Sequence, residues 1–200
     1  MSGRTAFTSL SPRVSPALIE ALEANGFVTA TPVQEAVIPR LLSHQDVVVQ
    51  AATGSGKTLA FLLPLFDVIA RREEALRPQQ VGALVVEPTR ELAVQVHTVA
   101  SLLGSSAYPS LTLSLFVGGT DIRESMAAFR ETGGNVVIGT PGRIDDLMNR
   151  LPEMQLKELE LLVLDEADRT PHQLLPAHTC TCGTASQPHT PVAHSLTAAH

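Results

Sequence analysis

Apolar positions along the 200-residue chain fall into two alternating kinds of run. Short, β-branched runs read as buried strands: Asp46–Gln50 (DVVVQ), Val81–Glu87 (VGALVVE), Leu111–Phe116 (LTLSLF), Asn135–Gly139 (NVVIG) and Leu161–Asp165 (LLVLD). Between them lie longer segments of helical type. The pattern predicts helices over Lys57 to about Arg72, Arg90 to about Leu103, Asp121 to about Glu131, and Pro141 to about Asn149. Two more helices precede the first strand. Ser15-Pro16 opens one as N-cap and N1, with Asn25-Gly26 closing it, and Thr31-Pro32 opens the other. Strands that alternate with helices predict an α/β fold with a mainly parallel sheet.

Composition changes this picture at one place. All 14 Lys and Arg and all 20 Asp and Glu lie before Thr170, and the stretch 170–200 carries no charge. It holds both cysteines, Cys180 and Cys182, and most of the histidines, with neither helical nor strand period. The expectation is one domain over 1–169 and an uncharged, low-complexity or aberrant tail over 170–200. Cys180-x-Cys182, with His178 and His189 nearby, offers zinc-ligand types, but its spacing is tighter than the usual Cys-x₂₋₄-Cys.

The net charge of −6 rules out binding of nucleic acid by global attraction, so any such binding must be local. With no Trp and one Tyr, the chain is poor material for a base-stacking platform. Two cysteines make no disulfide framework, and a reducing, intracellular setting is expected. The first residues carry no apolar signal core, and the most apolar run, Leu59–Ala70, is broken by Pro64 and Asp67; no signal peptide or membrane span is expected.

The chemistry begins after the first strand. Ala51-Ala52-Thr53-Gly54-Ser55-Gly56-Lys57-Thr58 follows the phosphate-loop pattern, with Ala51 in place of its first glycine. Gly54 and Gly56 let backbone N–H groups curl around a phosphate, and the next helix aims its positive end there. Lys57 reaches the β- and γ-phosphates, and Thr58 offers a hydroxyl to Mg²⁺. The plain alternative is a Gly/Ser turn that caps a helix. Asp165 emerges at the end of a later apolar strand, the arrangement in which a carboxylate holds Mg²⁺ beside a phosphate loop. Glu166 follows, placed to orient and deprotonate water. Together they predict a site that hydrolyses a nucleoside triphosphate.

With Asp165-Glu166-Ala167-Asp168 the chain resembles the DEAD-box RNA helicases. Gly26-Phe27 followed by Thr31-Pro32-Val33-Gln34 resembles the family's Q motif, with Phe7 as the upstream aromatic. Pro88-Thr89-Arg90-Glu91-Leu92, the pair Gly118-Gly119, and Thr140-Pro141-Gly142-Arg143 resemble further family motifs. The six signatures fall in the family's order over roughly Phe7 to Arg169.

The resemblance implies a P-loop NTPase of RecA-like fold with ATP and Mg²⁺ as cofactors. Phe7, Phe27, Thr31, Gln34 and the loop Ala52 to Thr58 would bind nucleotide. Lys57, Asp165 and Glu166 would be catalytic, and Thr58 and Asp165 would hold the metal. Pro88, Thr89, Arg90, Gly118, Gly119, Thr140, Pro141, Gly142 and Arg143 would follow an RNA sugar-phosphate backbone, without reading bases and with no DNA expected. The stretches RREEALRPQQVGALVVEPTREL and GGNVVIGTPGR resemble the subgroup that serves large-ribosomal-subunit assembly, implying pre-ribosomal RNA, the nucleus and the nucleolus.

Several of these residues have a second physical role. Gln34 has an amide suited to the N6/N7 edge of adenine, yet Thr31-x-x-Gln34 is also a capping box. Phe7 can stack on adenine or pack in the core. Thr140-Pro141-Gly142 is also a plain helix start, and Glu91 can pair with an arginine and hold its loop.

After Arg169 the family pattern calls for an apolar helix, a strand ending in Ser-Ala-Thr and a second RecA-like domain, and none of these follows. In that fold the missing strand lies between the Asp-Glu strand and the phosphate-loop strand. Its absence predicts two open strand edges, each unpaired backbone group costing about 1–3 kcal/mol against a net domain stability of about 5–15 kcal/mol. Without the second domain's arginine finger, a rate loss on the order of 10³ to 10⁵ is expected. The expected chain is therefore the ATP-binding half of a helicase, or a fragment that at most binds nucleotide or RNA.

Overall fold

The computed structural model describes residues 5–167, together with the backbone of residues 194–195. Six α-helices and five strands follow a 3₁₀ turn at Phe7–Ser9. In chain order they are α1 (Pro16–Ala24), α2 (Pro32–Leu42), α3 (Lys57–Ala70), β1 (Ala83–Val86), α4 (Arg90–Ala107), β2 (Leu113–Phe116), α5 (Ile122–Thr132), β3 (Val136–Gly139), α6 (Pro141–Arg150), β4 (Leu161–Leu164) and β5 (His194–Ser195).

The sheet order is β2-β3-β1-β4-β5, and every pairing is parallel. Successive side chains on a strand face opposite ways. Ala83 and Val85 of β1, Val136 and Ile138 of β3, and Leu161 and Val163 of β4 therefore share one face. They pack with α1, α2, α3 and α4 in the larger core. Leu84, Val86 and Val137 take the other face, with Phe129 of α5 and Ile144 and Leu147 of α6. Burial on both faces explains why the strands read as unbroken apolar runs.

Local signals set the helix ends. Ser15 Oγ accepts from the Leu18 N–H, Thr31 and Gln34 form the capping box, and Thr89 Oγ1 accepts from the Leu92 N–H. Asp121 caps α5 in the same way, through the Arg123 N–H. α4 runs to Ala107, past the predicted end near Leu103, because Ala100, Leu103 and Gly104 continue its buried face. At the end of α3, Arg72 pairs with Glu158 and Glu160 and so anchors the chain entering β4.

The fold departs from the sequence pattern at Asp46–Gln50. This run forms no strand of the sheet, and Val48 is 78% exposed. Among the described residues, the ladder beyond β4 carries His194 and Ser195, paired with Val163 and Leu164. Within the run, Val48 takes part in a β-bridge without the run becoming a strand. From the stretch after Arg169 the described residues are His194 and Ser195, which form β5. His178, Cys180, Cys182 and His189 lie outside the described residues.

Candidate nucleotide and RNA site

The candidate site gathers at the C-terminal ends of β1, β3 and β4 and at the N-terminus of α3. The loop before α3 has two left-handed glycines, Gly54 (φ 77°) and Gly56 (φ 95°). Gly56 caps α3 with no side-chain acceptor, so the first N–H groups of the helix are not capped from within the loop. A Cβ on Gly56 would come within 2.5 Å of Gln34 Nε2, which makes glycine obligatory there. Ala52, Thr53 and Gly54 are exposed, Thr58 is half-buried on the first turn, and Ser55 Oγ is buried with no hydrogen-bond partner.

Lys57 is buried, and its Nζ donates to the Ala51 carbonyl at 2.7 Å, across the mouth of the loop. A cradle of free helix N–H groups, an orphaned hydroxyl and a lysine folded over its own loop fits a chain of phosphates.

Asp165 leaves β4 at the same end. Its N–H donates to the Val86 carbonyl at 3.1 Å, extending the β1–β4 ladder, and its carboxylate is buried. Burial raises the Asp165 carboxyl above its usual range, while the Glu166 N–H at 2.9 Å and the nearby Lys57 charge pull it back. Lys57 and Asp165, distant in sequence, thus feel one another. Glu166 takes a left-handed φ of 45°, costly for a residue with a side chain. A buried carboxylate beside a phosphate cradle is the hard-oxygen donor that Mg²⁺ uses.

Glu87, one residue past β1, is fully buried, and neither carboxylate oxygen has a hydrogen-bond partner. Burial first, then the Asp165 and Glu166 charges, push its carboxyl up to about 8. The sequence pattern treats Glu87 only as a strand end. An acid that closes an apolar run, as Asp165 does, was the available signal.

Gln34 is buried and engaged at both ends of its amide, with one Nε2 hydrogen left over. Its Oε1 accepts from the Thr31 N–H at 2.8 Å, and its Nε2 donates to the Gly56 carbonyl at 3.0 Å. The capping box is therefore formed, and the same side chain braces the phosphate loop. Phe7 sits in the core at 3% exposure, as ordinary packing requires, whereas Phe27 is 39% exposed. An open groove next to the loop is lined by Thr31, Val33 and Arg40 of α2 and its N-cap, by Val48, and by Gly54 and Ser55.

A second pocket brings together Pro88, Thr89, Arg90, Gly118, Thr140, Gly142 and Arg143 from three separate strand-to-helix turns. Gly119 lies against it, since a Cβ there would fall 2.2 Å from an Arg90 guanidinium nitrogen. Pro141 is the first residue of α6. Thr140 caps that helix without using its hydroxyl, so the hydroxyl is not committed to the helix end. Arg143 is more committed: its guanidinium donates to the Thr120 carbonyl at 2.7 Å and reaches Ser125 Oγ at 3.4 Å. Glu91 makes no ion pair among the described residues, so it does not hold its loop through an arginine. No metal-binding group of three or more His, Cys, Asp or Glu occurs among the described residues, and none of their helices is long and apolar enough to cross a membrane.

The sequence model described as DEAD/DEAH box helicase matches residues 31–184. The chain belongs to the DEAD/DEAH box helicase family. Among its relatives, DEAD-box ATP-dependent RNA helicase 49 of Arabidopsis thaliana is 48% identical over 164 residues, which are 82% of this chain and 29% of that protein. ATP-dependent RNA helicase DDX55 of Gallus gallus is 44% identical over 168 residues, 82% of this chain and 28% of that protein.

The fold of this family member is similar to that of the DEAD box protein from the hyperthermophile Methanococcus jannaschii. The TM-score is 0.70 at 34% identity, over 82% of this chain and 42% of that one. DEAD-box helicase Mss116 bound to ssRNA and UDP-BeF aligns with a TM-score of 0.81 at 28% identity, over 98% of this chain and 41% of that one. The DEAD-box chain described here spans between 25% and 33% of the length of the curated relatives it matches.

Proposed function

We propose that this chain is the ATP-binding half of an ATP-dependent RNA helicase. The observation that carries the proposal is the meeting of Lys57 and Asp165 at one end of the sheet, beside a separate pocket built from Thr89, Arg90, Gly118, Thr140 and Arg143. The first place suits a triphosphate and its cation, and the second suits a sugar-phosphate backbone. Hydroxyls, helix N-termini and an arginine carry no information about base identity, so the RNA contact is expected to be sequence-independent.

In this proposal Gly54 and Gly56 shape the loop, and the N-terminus of α3 and Lys57 neutralise phosphate charge. Phe27 and Gln34 face the base, with Thr31 holding Gln34 in place. Thr58 and Asp165 hold Mg²⁺, which when bound supplies a Lewis acid for the phosphoryl oxygens. Glu166, next along the chain from Asp165, orients and deprotonates the attacking water. Gly118, Gly119 and Thr140 to Arg143 line the RNA path. Resemblance to the large-subunit assembly subgroup supports pre-ribosomal RNA as substrate and the nucleolus as location. The domain is taken as 1–169, with 170–200 outside it.

The test is a thermal melt of the 200-residue chain with and without Mg-ATP. A ligand that binds only the folded form raises the midpoint as RT ln(1 + [L]/Kd). A shift with ATP that Lys57→Ala abolishes supports the site; no shift in the parent chain refutes it.

One observation favours a second reading, a non-catalytic fragment. Among the described residues the sheet beyond β4 is two residues long, and Asp46–Gln50 forms no strand of it. RNA-stimulated ATP turnover separates the two readings, since only the helicase half hydrolyses.

A further inference from the structure

Glu87 is held where Asp165 is held. Its N–H donates to the Gly139 carbonyl at 2.9 Å, and Asp165 N–H donates to the carbonyl of Val86, the residue before it. β1 and β4 run in register, Val86 opposite Leu164, so Glu87 lies level with Asp165 on the next strand. Val85 and Val163 face the larger core, which contains α3. Two residues further on, alternation returns Glu87 and Asp165 to that same face, toward the N-terminus of α3.

The side chain that arrives there is 0% exposed, and both carboxylate oxygens lack a hydrogen-bond partner. The charges that act on it, those of Asp165 and Glu166, are of the wrong sign to stabilise its carboxylate. Leaving such a group unpaired in an apolar site is costly, and native structures seldom keep one without a partner. A hydrated divalent cation offers what the position lacks, positive charge and water O–H donors. Mg²⁺ keeps several waters while taking one or two carboxylates directly. Carboxylates one shell out accept hydrogen bonds and tune the affinity of the site. Among the described residues no three His, Cys, Asp or Glu groups cluster to grip a metal directly, which favours Glu87 on the metal's water over the metal itself.

We propose that Glu87 is a positioning residue of the divalent-cation site, accepting hydrogen bonds from water in the hydration shell of a Mg²⁺ held by Thr58 and Asp165. This rests on the nucleotide-and-metal site proposed above.

The experiment titrates Mg²⁺ into the full chain saturated with ADP and follows the thermal midpoint, after ADP binding has been measured without metal. Glu87→Gln keeps the shape and removes the ability to ionise; Glu87→Ala, read in parallel, leaves no unpaired amide. The expected result is that both variants need about tenfold more Mg²⁺ for half-maximal stabilisation. Their metal-free ADP affinity should be unchanged, and their metal-free midpoint no lower than the parent's. Asp165→Asn separates the two levels of the proposal. If Asp165→Asn leaves the Mg²⁺ response intact, the metal site itself is wrong and Glu87's role falls with it. If Asp165→Asn removes the response while both Glu87 variants answer to Mg²⁺ like the parent, the metal site stands and Glu87 is only a buried acid. Loss of a cooperative melt in the Glu87 variants without metal would also overturn the proposal, because it would make Glu87 a part of the fold.

Discussion

Gln34 holds Gly56: its Nε2 donates to the Gly56 carbonyl at 3.0 Å, while its Oε1 closes the capping box on the Thr31 N–H. One amide thus ties the start of α2 to the residue that caps α3. Gln34→Ala removes both bonds and leaves the Thr31 N–H without a partner. A loss of about 1–2 kcal/mol in unfolding free energy is expected, from a cap arm and a hydrogen bond. Gln34→Glu keeps an acceptor for Thr31 but cannot donate to Gly56. Denaturant melts should therefore place it between the parent and Gln34→Ala without ligand, while its nucleotide affinity falls as far as that of the alanine variant. Equal stability of all three proteins would show that the brace contributes nothing.

Tyr108 gives a pH dependence with a definite sign. Its hydroxyl donates to Asp67 Oδ1 at 2.7 Å, so the 2.6 Å contact with Ser15 has Ser15 as donor. Burial, and then the bond to Asp67, raise the phenol from 10.0 to about 12, against the opposing Ser15 bond and Arg71 charge. A folded value above the unfolded one means stability that is complete below pH 10 and is lost as pH rises from 10 to 12. Because Tyr108 is the chain's single tyrosine and there is no Trp, tyrosinate absorbance reports this group alone. Ionisation of the native chain should be delayed to about pH 12, and urea should bring it back to the ordinary value. A native titration midpoint near 10 would remove the predicted window.

Gly119 has a left-handed φ of 91°, and a Cβ there would lie 2.2 Å from Arg90. Gly119→Ala therefore strains the backbone by about 1 kcal/mol and pushes the guanidinium off its seat. If Arg90 contacts phosphate, a misplaced charge-assisted bond worth about 1.5–3 kcal/mol predicts roughly tenfold weaker binding of a labelled single-stranded RNA. Nucleotide affinity, read at the separate phosphate-loop site, should not change. RNA affinity equal to the parent's would separate Arg90 from the RNA path.

The parallel sheet was legible because each of β1, β3 and β4 is short, apolar and bounded, and β1 and β3 lead into the helix caps Thr89 and Thr140. The capping box at Thr31 and Gln34 was legible for the same reason: it depends on residues three apart. Other features depend on partners far along the chain. Nothing in VGALVVE says that Glu87 will come to rest beside Asp165; that follows from strand order, and strand order is not local. Nor does the sequence near Tyr108 announce Asp67, which lies 41 positions earlier. Nor does the sequence near Arg143 announce Thr120 and Ser125, which its guanidinium reaches. DVVVQ shows the converse, a good strand pattern that forms no strand among the described residues beyond a bridge at Val48.

That last segment makes its own prediction. Val47 is 8% exposed and Val48 is 78% exposed, so the run presents one side chain to the core and the next to water. Were Asp46–Gln50 an interior strand with helices on both faces, lysine at either position would bury a charge. As the segment stands, Val47→Lys should destabilise the chain by about 2–5 kcal/mol, whereas Val48→Lys should stay within about 0.5 kcal/mol of the parent. Urea melts of the two variants decide it. A large loss in Val48→Lys would mean that this face is covered in solution and that the sheet extends past β4 through the phosphate-loop segment, which is the architecture the hydrolysing helicase half needs. A neutral Val48→Lys leaves that edge open and favours the fragment that binds without turnover.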